Sequence, residues 1–166
     1  MAQADDAPLL DPDLAPVDPG VRHWLSQVTL RLRREIAWVR HQRGQDQATP
    51  GTLPPFTDAA QDSLDLLRHR HDKQAFFDDD PAARYLGEQL DALALERPAL
   101  PEDSEQPQDR WGAIARALQL DEGAQFVLAC ALAARADASL GPACAAALND
   151  ASRPFPSLAL AQRLWD

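Results

Sequence analysis

The stretch that decides the fold runs from Trp111 to Trp165, WGAIARALQLDEGAQFVLACALAARADASLGPACAAALNDASRPFPSLALAQRLW. Alanine and leucine dominate it, and both are strong helix formers. Trp111, Ile114, Ala115 and Leu118 recur at spacings of three and four, which puts them on one side of a helix facing a core. Asp121 follows as an N-cap with Glu122 in the first turn, where unpaired backbone N–H groups and the helix dipole favour negative charge. From Phe126 to Ala134 the run is apolar on every face, so this helix is expected to be central and surrounded. After a break at Arg135 to Asp137, Ser139 reads as the N-cap of the next helix. Pro142 then falls in the first turn, where its missing N–H costs no intrahelical bond. Ala143, Cys144, Ala147 and Leu148 form the buried side of that helix. Asn149 to Pro156 reads as a loop with Pro154 and Pro156 as breakers, and Ser157 to Leu164 as a last helix. The loop has no alternating apolar pattern, so no strands are expected in it.

Working outward, Val21 to Arg43 is the longest helical pattern before this stretch. Val21, Leu25, Val28, Leu32, Ile36 and Val39 form one apolar stripe. At about 100 degrees per residue, Arg22, Arg33 and Arg40 fall on one flank and Arg31, Arg34 and Trp38 on the other. These six residues are the candidate partner surface; the plainer alternative is an ordinary solvated helix flank. Gly44 is expected to end the helix, and Gly44 to Pro55 reads as a mobile linker. Thr57 or Asp58 then caps a short helix with Ala60, Leu64 and Leu67 inward. Asp80 and Pro81, as N-cap and first helical residue, start another with Ala82, Tyr85, Leu86, Leu90 and Leu93 on its buried side. Arg97 to Asp109, rich in proline and acids, reads as a second mobile linker.

The 166 residues suffice for one domain with a sizeable core. The formal net charge is −10, spread unevenly. Residues 1–20 carry acids and no base, and are expected to be a disordered acidic head ahead of a single domain over 21–166. Basic charge concentrates in Val21 to Arg43. An acidic chain with one basic helix is a poor nucleic-acid binder, because nonspecific affinity comes from phosphate neutralisation. The amino terminus lacks the basic start and apolar segment of a secretory signal, and no run approaches the roughly 18 apolar residues of a membrane span. A cytoplasmic chain without membrane partners is therefore expected. Cys130 and Cys144 both lie on expected buried faces and read as inert core thiols.

The search for chemistry returns no catalytic residues, no cofactor-binding residues and no metal ligands. His69 and His71 are two apart, so on a helix they point away from each other and cannot share a metal. Asp78, Asp79 and Asp80 lack the spaced oxygen ligands and the glycine of a calcium loop. A P-loop needs Gly-x-x-x-x-Gly-Lys followed by Ser or Thr, yet the single lysine, Lys73, follows Asp72. No nucleophile elbow, His-Glu-x-x-His, Gly-x-Gly-x-x-Gly or Cys-x-x-Cys is present.

One resemblance sharpens this reading. Leu118, Leu120, Asp121, the run Phe126 to Leu132, Asp137 with Leu140, then Leu148, Asn149, Asp150, and finally Arg153, Pro154, Pro156 to Ala161, Arg163 and Leu164 resemble the amino-terminal domain of a family of bacterial AAA+ ATPases. In that family a helical domain, a winged-helix variant, precedes the ATPase module, and some members are encoded with contractile injection systems. The resemblance implies a non-catalytic module that docks a partner or substrate protein or steers assembly. ATP and Mg would be required only by a downstream ATPase domain, and the end at Leu164, Trp165, Asp166, without a capping glycine or polar tail, fits a chain that continues. Two alternatives stand beside it: a free-standing adaptor using the Arg31, Arg34, Trp38 flank or the Trp165 end, and a DNA-binding regulator with Arg22, Arg33, Arg40 and Arg43 on phosphates. The expected architecture is all-α, six or seven helices around the Phe126 to Ala134 helix, with the Val21 to Arg43 helix packed across it.

Overall fold

The computed structural model describes residues 18–48, 59–96 and 110–165, with side chains for 18–44, 68–96 and 110–165. Within these residues the protein is all-helical: α1 (Pro19–Ala48), α2 (Ala59–Asp79), α3 (Pro81–Leu95), α4 (Arg110–Ala117), α5 (Glu122–Ala136), α6 (Leu140–Leu148) and α7 (Leu158–Trp165). The central element is α1, which touches each of the other six helices. Its apolar stripe calls for one buried side, and Leu25, Val28, Leu32 and Val39 are buried as that spacing requires. Trp24, Gln27, Glu35 and Trp38 are buried as well, so the covered arc is far wider than the apolar stripe. One length of α1 lies in a large core with α4 to α7, around Phe126, Leu140, Cys144 and Leu160. Its C-terminal half meets α2 and α3 in a smaller cluster of Trp38, Phe77 and Ala83.

Several boundaries differ from the sequence pattern, each for a local reason. Asp18 to Gly20 do not belong to a disordered head. Asp18 accepts from Gly20 N at 2.9 Å and Val21 N at 3.1 Å, and so caps α1, with Pro19 in the first helical position. Its other oxygen accepts from Trp111 N at 2.8 Å, so one buried carboxylate serves the starts of both α1 and α4. Gly20 is required there: a Cβ would stand 2.9 Å from Trp111 Cβ. At the other end α1 passes straight through Gly44 to Ala48 rather than stopping. The remaining linker positions up to Pro55, the Thr57 and Asp58 caps, the side chains of Ala60, Leu64 and Leu67, and the Arg97 to Asp109 linker lie outside the described residues.

The break between α2 and α3 is the expected one, with Asp80 Oδ1 accepting from Ala82 N and Ala83 N and Pro81 following. Asp121 likewise caps α5 through Ala124 N at 2.8 Å. Ser139 makes no side-chain cap at α6; Asp137 Oδ1 instead accepts from Ser139 N. Two helices end in left-handed residues that are not glycine. At α4, Gln119 (φ 51°) directs Leu120 N to Ala115 O, and at α6, Asn149 (φ 54°) directs Asp150 N to Ala145 O.

α5 is not the surrounded centre that its all-apolar run suggests. Phe126, Ala129, Cys130 and Ala133 face the core, while Val127, Ala131 and Leu132 face outward. On α4, Trp111 and Ala115 are buried but Ile114 and Leu118 are exposed. On α3, Ala83 and Leu90 are buried while Ala82 and Tyr85 are exposed. Helices this short need only a narrow contact with α1, and α1 supplies the large side chains itself.

Candidate functional site

The flank of α1 expected to face a partner divides in two. Arg22 and Arg40 are exposed and Arg33 half-buried on the outer side. Arg31, Arg34 and Trp38 are turned into the molecule, where they hold its own helices together. Trp38 is 3% exposed and packs on Phe76, ring centroids 5.5 Å apart. Arg34 lies over the Phe77 ring at 4.3 Å, a cation–π contact between α1 and α2. Arg31 sits over Trp165 at 5.0 Å and Phe126 at 5.5 Å. Its guanidinium donates to Leu164 O at 3.0 Å and Trp165 O at 3.2 Å, which satisfies carbonyls that end α7 without an intrahelical partner. Burial, then the neighbouring Arg34, lowers the Arg31 pKa from its ordinary value. The sequence wheel separates positions by angle alone and cannot see that two arcs of α1 are both covered.

Behind this flank lies a charged cluster that the sequence does not announce. Glu35, 2% exposed, accepts from Lys73 Nζ at 2.8 Å and from Arg163 Nε. Lys73 also donates to Arg163 O at 3.3 Å. One carboxylate on α1 thus joins α2 to α7 through two cations. Glu35 falls beside Val28 on the wheel, at the margin of the apolar stripe, which is the only signal of its burial.

α2 stands between two clefts of opposite character. On one side a cleft of about 1030 Å³ reaches α7 and is lined by Arg70, Lys73, Phe77 and Arg163. On the other a cleft of about 710 Å³ opens between α1, α2 and the start of α3, with Trp38, His41 and Phe76 for a floor and Asp72, Asp79 and Asp80 about it. The floor is a stack of rings: His41 to Phe76 4.5 Å, Trp38 to His41 5.7 Å, Trp38 to His69 5.6 Å between centroids. The buried Trp38 Nε1–H has no hydrogen-bond acceptor. His69 borders both clefts, and burial, then Arg163 and Lys73, lowers its pKa below the usual histidine value.

Cys130 and Cys144 are buried free thiols. Burial, with Cys144 close by, pushes Cys130 up to about 12, far from nucleophilic readiness. Among the described residues no group of His, Cys, Asp and Glu is placed to hold a metal, and no helix is long and apolar enough to cross a membrane. No family model, curated protein or solved structure matches the chain.

Proposed function

We propose that this chain is a non-catalytic helical docking module that takes a protein partner in the cytoplasm, the front domain, a winged-helix variant, of an AAA+ ATPase of the kind it resembles. The observation that carries docking is the outward side of α4 and α5. Single apolar residues on a surface need no explanation. Here two consecutive helices each turn several apolar residues outward, Ala113, Ile114, Ala117 and Leu118, then Val127, Ala131 and Leu132, with the exposed Arg116 and Arg135 among and beside them. Leu118 is 64% exposed and Leu132 40%. Both helices already bury a full opposite side, so this apolar surface is in excess of what the fold uses, the mark of a contact surface.

The docking surface is thus assigned to α4 and α5 and away from Arg31, Arg34 and Trp38, which are occupied within the molecule. Reading this chain as a DNA-binding regulator rests on Arg22, Arg33, Arg40 and Arg43, of which Arg43 donates to Asn149 Oδ1 within the molecule, and the net charge of −10 disfavours phosphate binding.

Sequencing the native gene past the codon for Asp166 tests the ATPase context. A downstream Gly-x-x-x-x-Gly-Lys-Ser/Thr after a strand-like run supports it, and ATP with Mg then belongs to that part. A stop codon at that point removes it and leaves a free-standing adaptor, to be examined by sedimentation for a stable complex.

A further inference from the structure

From the geometry of the smaller cleft we infer that this protein binds an alkylammonium cation between α1, α2 and the start of α3, on a ring floor of His41 and Phe76 backed by the buried Trp38, and against the carboxylates of Asp72 and Asp79. The site is distinct from the α4 and α5 face, and the inference does not depend on the docking reading.

Three features converge. Aromatic faces carry the negative lobe of the ring quadrupole and attract a cation that has shed water. The volume of about 710 Å³ is that of a small-molecule site. Among the described lining residues the cleft has three carboxylates and neither arginine nor lysine, whereas the cleft across α2 has Arg70, Lys73 and Arg163 and no carboxylate. α2 therefore sorts charge between its two sides, and a soft cation is drawn to only one of them.

The acids are available for this. Asp79 is exposed and makes no hydrogen bond or ion pair among the described residues. Asp72 is 3.8 Å from Arg68, but both side chains are largely exposed, and such a pair is worth little and exchanges readily. Asp80 is committed to the start of α3 and adds its charge without a free hand. With its pKa lowered by burial, His69 stays neutral at physiological pH and sets no positive charge against the ligand. Bulky alkyl groups on nitrogen suit a floor of rings better than a bare ammonium, which demands direct hydrogen bonds on all its protons.

The test follows the indole N–H of Trp38 in two-dimensional NMR spectra of the whole chain. The probes are choline, its uncharged isostere 3,3-dimethylbutan-1-ol, and a short peptide with one trimethyl-lysine. The expected result is a saturable shift with choline or the peptide, half-complete on the order of 1 mM or below, and no comparable shift with the alcohol. D79N weakens this about fivefold and D72N/D79N further; both positions are exposed, so the variants keep the fold. Tighter binding of the peptide identifies the source as a modified protein, and equal binding of choline identifies a free amine. A response to the alcohol at the same concentration, an unaltered affinity in D72N/D79N, or no saturation at about twenty times the expected midpoint overturns the inference.

Discussion

Replacing Glu35 by glutamine removes the single negative charge shared by Lys73 and Arg163 while keeping the volume of the side chain. Each charged hydrogen bond is worth about 1.5–3 kcal/mol, and breaking a buried ion pair by deleting one partner costs about 3–5 kcal/mol, mostly because the survivor is left uncompensated. Two survivors remain here. Lys73 is 13% exposed and Arg163 34%, so both regain some water, which argues for the lower part of the range, about 3 kcal/mol. K73M should cost less, about 1.5 kcal/mol, because Glu35 keeps Arg163. The triple replacement E35L/K73M/R163M should return to within about 1 kcal/mol of the native protein, since it exchanges the cluster for apolar packing. Urea unfolding reads all three as shifts of the midpoint at constant slope. Salt should recover part of the E35Q loss by screening the two cations. An E35Q cost below about 1 kcal/mol, or a K73M cost as large as that of E35Q, refutes the account of Glu35 as the hub.

Four further outcomes are expected. D18A should cost about 2–4 kcal/mol, a helix cap plus a buried Trp111 N–H left without an acceptor, against about 1 kcal/mol for D121A at the exposed start of α5; thermal unfolding compares them. Removing one glycine and adding another should both stabilise: G44A by about 0.5–1 kcal/mol because nothing lies within 4 Å of the new Cβ and α1 continues past it, and Q119G by about 1 kcal/mol by relieving a left-handed residue; a destabilised G44A would mean that α1 stops there. The thiol of Cys130 is raised in the folded state, so its contribution is complete below the unfolded pKa of about 8.5 and is lost as pH rises toward about 12, by up to about 1.4 kcal/mol per unit. Urea unfolding at pH 8, 9 and 10 should therefore show a steeper alkaline decline for the native chain than for C130A. L118D/L132D should change stability by no more than about 0.5 kcal/mol per site, because both side chains are largely in solvent, and a severe loss would place them in the core instead.

The helical class was plain in the sequence from the Trp111 to Trp165 composition and the Val21 to Val39 stripe, and the start of α3 from Asp80 and Pro81. The same Asp-Pro signature occurs at Asp18 and Pro19, but there the surrounding acids and prolines read as a tail, and a local motif was outweighed by composition. What escaped the pattern is what depends on a partner far along the chain. An all-apolar α5 is compatible with a surrounded helix or with one buried side and one docking side, and only packing decides. Trp38 and Glu35 flank the stripe at angles that look peripheral until a second layer, α2 and α3, closes over them. The cleft between α1 and α2 combines residues spread from Trp38 to Pro81 that no spacing rule connects.

The position of α1 sets a schedule for synthesis. Of the seven described helices it is made first, yet part of its packing lies with the helices made last: Arg31 reaches Leu164 O across 133 residues. At roughly 5–20 residues per second, α1 waits on the order of ten seconds for α7. Until α5, α6 and α7 emerge in turn, Trp24, Leu25, Val28 and Leu32, and the charge of Glu35, lack part of their final cover. The nascent chain therefore presents the apolar side of its first helix before the helices that cover it exist, and that helix is the segment a chaperone would have to shield during synthesis.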